Sequence, residues 1–137
     1  MEWSFDGYIL TDDVHWVDVK KVYQLLSATY WAEGRTIEQV QESLKFSLCF
    51  SIFKDRDQIG FGRVVTDHVF FAWIADIVID PNYRRKGLGK FMMSIITQHP
   101  DIPQHIQLLR TKDAHRFYEK FGFINDECLV RRKTRTF

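Results

Sequence analysis

The spacing of hydrophobic residues changes several times along the chain, and each change marks an element. Tyr8-Ile9-Leu10 reads as a short initial strand. Val19, Val22, Tyr23 and Leu26 then recur at helical spacing, which predicts a helix over about 15–27. Thr36 and Gln39 have the spacing of a capping box, and Ile37, Val40 and Leu44 share one side, so a second helix is expected over about 37–45. The intervening segment Thr29 to Arg35 has no period.

From Phe46 the period becomes two. Leu48, Phe50 and Ile52 point one way, Lys54 to Asp57 reads as a turn, and Gln58 to Thr66 as the returning strand of a hairpin. After a turn at Asp67-His68, the apolar run Val69 to Ile79 predicts a central strand buried on both faces. Pro81-Asn82-Tyr83 stops it, and Leu88, Phe91, Met92, Ile95 and Ile96 form the stripe of an amphipathic helix. His105 to Leu109 is expected as a short strand. Ala114, Phe117, Tyr118 and Phe121 form a helical stripe ended by Gly122, and a last strand is expected from Phe123 past Val130. The order β-α-α-β-β-β-α-β-α-β joins hairpins to a strand-helix-strand crossover. It predicts an α/β fold with a mixed, mostly antiparallel central sheet flanked by about four helices.

A length of 137 residues with 45% hydrophobic content fits one domain over 1–137. The net charge of +1 offers no general attraction to nucleic acid or an anionic membrane. Arg131, Arg132, Lys133 and Arg135 lack the interleaved aromatics of a single-strand binder, so neither partner is expected. Cys49 and Cys128 have no CxxC spacing, read as two buried free thiols, and suit a reducing compartment. With no signal-like start and no long apolar run, a cytoplasmic location is expected. The five histidines show no metal spacing, so no metal is expected. The high aromatic content leaves a homodimer open.

The chemistry concentrates where Ile77-Val78-Ile79 runs through Asp80-Pro81-Asn82-Tyr83 into Arg84-Arg85-Lys86-Gly87-Leu88-Gly89-Lys90. A strand feeding a basic, glycine-containing turn at a helix start is an anion site, because the first helical turn leaves backbone N–H groups unpaired and carries partial positive charge. Four cations oppose the local dipole there, which makes sense if a polyphosphate supplies the compensating charge. Gly87 and Gly89 remove side chains that would block its approach. The residues do not spell a P-loop or a dinucleotide fingerprint.

Arg84-x-x-Gly87-x-Gly89 resembles the pyrophosphate-binding signature of the GNAT acetyltransferases, and Phe117-Tyr118-Glu119-Lys120-Phe121-Gly122-Phe123 resembles that family's other recognisable stretch. The resemblance covers about 46–130; residues 1–45 share only the two helices before the hairpin. It implies transfer of an acetyl group from acetyl-coenzyme A, as cosubstrate, to a primary amine on a small molecule or peptide. It also implies that residues 84–90 bind the pyrophosphate, that Ile77, Val78 and Ile79 contact the coenzyme through their backbone, and that Tyr118 serves as acid to the departing thiolate. Many members carry Asn where this chain has Thr111, which can cap the helix instead.

Other assignments rest on residue type. Asp76, the polar residue in an apolar run, is either a base with a raised pKa, or else a cross-strand partner for Arg63 or a group in a bulge hydrogen bond. Tyr30, Trp31 and Glu33, with Arg35, either line the acceptor site or, for the two aromatics, pack as core. A coenzyme-binding regulatory module without transfer activity is the alternative function on the same fold.

Overall fold

Asp6 and Gly7 close the first hairpin. Phe5 pairs with Tyr8, so the loop has two residues, and both have positive φ (49° and 83°), the backbone of a type I′ turn. The computed structural model describes residues 1–133, and Arg135 lies outside them. The strands are β1 (Glu2–Phe5), β2 (Tyr8–Thr11), β3 (Leu48–Lys54), β4 (Asp57–Thr66), β5 (Phe71–Ile79) and β6 (Ile106–Leu108). The helices are α1 (Val19–Ser27), α2 (Ile37–Leu44), α3 (Leu88–Ile96) and α4 (His115–Glu119), with 3-10 turns at Val14–Trp16 and Pro81–Tyr83. One sheet holds the strands in the order β1 to β6, antiparallel throughout except for the parallel β5–β6 pair. The mixed, mostly antiparallel α/β architecture matches the sequence expectation.

Four boundaries differ from expectation, the first three for a local reason. β1 is an additional strand, formed because the Asp6-Gly7 turn returns the chain on itself. The first helix starts at Val19, where the Asp18 carboxylate accepts from Lys21 N–H, and the residues before it form a separate 3-10 turn. The central strand starts at Phe71 because the Asp67 carboxylate takes the N–H groups of Val69, Phe70 and Phe71 into a turn. No strand forms between Phe123 and Lys133. The expected capping box of α2 is present, with Gln39 N–H donating to Thr36 Oγ1 at 3.1 Å and Thr36 N–H to Gln39 Oε1 at 2.9 Å.

Two apolar clusters cover the sheet. Met92, Met93 and Ile96 of α3 pack with Phe50, Ile52, Ala72 and Ile74. Val22, Leu26, Val40 and Leu44 of α1 and α2 pack with Cys49, Phe61 and Val78. Ile74 and Val78 are four residues apart on β5 and join different clusters. A regular strand would put them on one face, so its alternation reverses between them. The reversal is a bulge: Phe61 pairs with Val78 but Arg63 pairs with Ala75, leaving one extra residue on β5. Asp76 absorbs it with φ 58°. Opposite, Gly62 makes room for the re-aimed strand, since a Cβ there would lie 2.6 Å from Ile77 Cδ1 and 2.8 Å from Met92 Sδ.

Candidate active site

β5 pairs with β6 only from Phe71 to Trp73. Beyond that point the strands part, and the backbone of 74–79 keeps β4 on one side while its other edge has no strand partner among the described residues. The bulge sits in this open half. A strand edge left in this way offers N–H and C=O groups to an extended ligand.

The open edge leads into the basic turn, and Asp80 holds the junction. Its Oδ1 accepts from Asn82 N–H at 2.9 Å, its Oδ2 meets Lys21 Nζ at 2.8 Å, and its own N–H donates to Ile59 O at 2.7 Å. The Lys21 hydrogen bond, against the opposing effect of burial, keeps the Asp80 carboxyl below its ordinary value. Sequence reading passed over Asp80; the Asp-Pro-Asn run ending a strand was its only signal. Arg84 donates from Nε to Ile79 O at 3.3 Å. Arg85 and Gly87 both adopt left-handed backbone (φ 64° and 79°), and Gly87 caps α3 without a side-chain hydrogen bond. The first intrahelical bond is Phe91 N–H to Gly87 O, so the N–H groups of Leu88, Gly89 and Lys90 have no helical acceptor. Arg84, Arg85, Lys86 and Lys90 form no ion pair among the described residues.

Gly89 has a second role. A Cβ there would lie 3.3 Å from Phe117 Cζ, so the missing side chain lets α4 approach the start of α3. The contact ties the helix of Tyr118 to the 84–90 turn. Thr111 Oγ1 accepts from Ala114 N–H at 2.9 Å, which holds the turn before α4, but Ala114 is itself the N-cap residue and the helix has no side-chain cap, so Thr111 does not cap it as expected. Gly122 ends it with φ 89°. Tyr118 is half-buried between the Phe117 and Phe123 rings at 5.0 and 6.1 Å. Burial first, then the nearby Tyr30 phenol and Asp113 carboxylate, push its phenol above the ordinary 10.0, so it stays protonated near neutral pH.

The loop between α1 and α2 reaches the bulge. Arg35 Nη1 and Arg63 Nε both donate to Asp76 Oδ2, at 2.8 and 2.6 Å, and Arg63 Nη1 donates to Ser47 Oγ at 3.2 Å. Burial alone would raise the Asp76 pKa, but Arg35 and Arg63 outweigh it and hold the carboxyl below 3.8. That corrects the expectation of a raised pKa, and the pairing with Arg63 at a bulge is the one observed. Tyr30 and Trp31 are 54% and 44% exposed and meet edge-on at 5.2 Å, so they are not core. Lys112 Nζ lies 5.7 Å from the Tyr30 ring centre, and Glu33 is exposed. Ala32, buried, fixes the loop between them.

The structure therefore brings Arg35 and Arg63 to Asp76 at the bulge and Tyr30 near Tyr118, and places residues 84–90 beyond the end of β5. Cys49 is buried with its thiol pushed up to about 11, whereas Cys128 is exposed, against the expectation of two buried thiols. Among the described residues no group of three or more His, Cys, Asp or Glu could hold a metal, and no helix is long and apolar enough to cross a membrane.

Residues 45–125 match the acetyltransferase (GNAT) domain family. The chain belongs to the GNAT acetyltransferase family. Its relatives in this family include the uncharacterized N-acetyltransferase Ycf52 of Porphyra purpurea, 32% identical over 80% of this chain and 67% of the relative. A crystal structure from Xanthomonas campestris pv. campestris, assigned to the GNAT family as an acetyltransferase, superposes with a TM-score of 0.89 at 30% identity over 96% of both chains. Glucosamine-6-phosphate N-acetyltransferase of Arabidopsis thaliana shares the fold (TM-score 0.68, 17% identity, 93% of this chain and 99% of that one). The GNAT family implies acetyl-coenzyme A as cosubstrate. The open β5 edge, the unpaired N–H groups and the unpartnered cations fit it, since they suit an extended amide arm ending in a pyrophosphate.

Proposed function

We propose that the chain is a single-domain, acetyl-coenzyme A-dependent N-acetyltransferase acting on a primary amine of a small molecule or peptide, in the cytoplasm. The observation that carries this reading is continuity: one unpaired strand edge leads from the Asp76 bulge into a helix start with free N–H groups and four cations. The Ile77, Val78 and Ile79 backbone binds the pantetheine amides, and the 84–90 turn binds the pyrophosphate. The bulge re-aims the backbone so that an N–H faces the thioester oxygen, where charge develops.

The neutral amine attacks the thioester carbonyl carbon. A C–N bond forms, the C–S bond breaks, and the electron pair leaves on sulfur. Tyr118, kept protonated by burial, gives its proton to that thiolate and recovers one from water, while the amine's proton passes to water. Asp76 is a weak base with both arginines on one oxygen, so its part is to hold Arg35, and through it the Tyr30, Trp31 and Glu33 loop, beside the bulge. Those three residues form the acceptor wall.

The test is release of free coenzyme A thiol on mixing the protein with acetyl-coenzyme A and a panel of primary amines. Thiol release with at least one amine, reduced in Tyr118→Phe, supports the reading. Acetyl-coenzyme A binding with no release across small-molecule and peptide amines would instead favour a regulatory module.

A further inference from the structure

The N-terminal hairpin lies against the turn that leads into α3. Phe5 and Tyr8 are cross-strand partners on one face of that hairpin, and their rings meet opposite ends of the turn. Tyr8, buried, meets the Tyr83 ring edge-on at 6.2 Å. Phe5 stacks on Phe91 at 5.2 Å, and its Cζ lies 3.6 Å from the place a Gly87 Cβ would occupy. Ile9 is as exposed as Phe5 (39% against 38%) but sits on the opposite face of the hairpin and pairs with Phe53. Little else holds the turn. Arg85 and Gly87 are both in left-handed backbone, and Gly87 caps α3 without a side-chain hydrogen bond. Among the described residues, the hydrogen bonds of 84–87 are those from Arg84 Nε to Ile79 O and from Phe91 N–H to Gly87 O. Unusual backbone of this kind persists only where the surroundings determine it.

We propose that Phe5 is a positioning residue for coenzyme binding: its ring, packed on Phe91 and against Gly87, fixes the 84–90 turn in the conformation that receives the pyrophosphate. This rests on the reading of that turn as the pyrophosphate site. A glycine-containing turn left free to sample other backbones must be ordered when the ligand arrives, and that cost is subtracted from affinity. The Phe5 ring moves the cost from binding to folding. Phe5 acts through Gly87, so it governs how tightly coenzyme binds and leaves the chemistry of the bound complex alone. It gives β1 a part in the site although β1 is the edge strand opposite β6.

Two measurements on the full chain test this: isothermal titration with coenzyme A, and amide hydrogen exchange across 84–91 without ligand. Phe5→Ala is expected to bind coenzyme A about tenfold more weakly than wild type, the scale of ordering one residue's backbone, and to exchange faster across 84–91. Phe5→Leu keeps β1 apolar but stops short of Gly87, so it should fold as wild type does and share both effects. Ile9→Ala removes an equally exposed apolar side chain from the other face and should match wild type in both. ADP, which carries the diphosphate without the pantetheine arm, should lose affinity in the Phe5 variants by the same factor as coenzyme A. A loss confined to coenzyme A, wild-type affinity in both Phe5 variants, or an equal loss in Ile9→Ala overturns the inference and leaves the site standing. No coenzyme A binding by wild type overturns the reading of the turn, and the inference with it.

Discussion

Gly89 at the start of α3 lies under the Phe117 ring of α4, so close that a Cβ would approach Cζ to 3.3 Å. The glycine at the end of the 84–90 turn thus also sets how near Tyr118, the next residue along α4, comes to that turn.

Gly89→Ala therefore has opposed effects on stability. Alanine gains about 1 kcal/mol of helix propensity, while Phe117 must give by a few tenths of an ångström. Thermal melting should move little, and kcat should fall because Tyr118 shifts with its helix. Gly89→Val adds overpacking of about 1–3 kcal/mol and should lower the melting temperature. Equal kcat in wild type and Gly89→Ala would contradict the coupling.

Tyr118→Phe should lower kcat by about 100-fold or more, in the range of a positioned general acid. The Km for acetyl-coenzyme A should hold, because in the proposed mechanism the phenol acts only on the departing sulfur. The raised phenol pKa predicts no alkaline loss of kcat from this group until above pH 10.0. Steady-state kinetics across pH checks both.

Asp76→Asn keeps a residue that tolerates left-handed backbone but removes the charge between Arg35 and Arg63. Breaking a buried pair costs about 3–5 kcal/mol; the partial exposure of Arg35 brings the expected loss nearer the lower end. Because the folded pKa is depressed, this stabilisation is present above the unfolded value of 3.8 and is lost as pH falls through the folded one. Denaturant curves of wild type and variant should thus differ at pH 7 and converge under strong acid. The variant should also raise Km for the amine, since its loop loses its anchor.

Gly87→Ala forces a side chain into left-handed backbone at a cost of about 1–2 kcal/mol. Its nearest neighbour, Phe5 Cζ at 3.6 Å, is no obstacle, so the penalty comes from φ 79° alone. Urea unfolding should show the loss, and weaker coenzyme binding should accompany it as the turn distorts.

Much of this was legible because it is local. The capping box at Thr36, the strand-turn-helix from Ile77 to Lys90 and the Gly122 stop are each written within a few neighbouring residues. Asp6-Gly7 was a local signal too, but the four residues of β1 before it, Glu2-Trp3-Ser4-Phe5, are too short a run for their alternation to stand out. Asp76 was visible as an anomaly, but its state depends on Arg35, 41 positions away, whose charge reverses the effect of burial. Gly89 illustrates the same limit: its contact with Phe117 exists only once α3 and α4 are packed. The expected strand after Phe123 is not formed: residues 124–133 are exposed and without a backbone partner among the described residues.

Isothermal titration of acetyl-coenzyme A into wild type and Gly87→Val tests the central claim most directly, namely that the open β5 edge and the 84–90 turn hold the coenzyme. Wild type is predicted to bind in the micromolar range, and Gly87→Val, folded by circular dichroism, to bind at least about tenfold more weakly, or 1.4 kcal/mol. No binding by wild type, or equal binding by both, would contradict it.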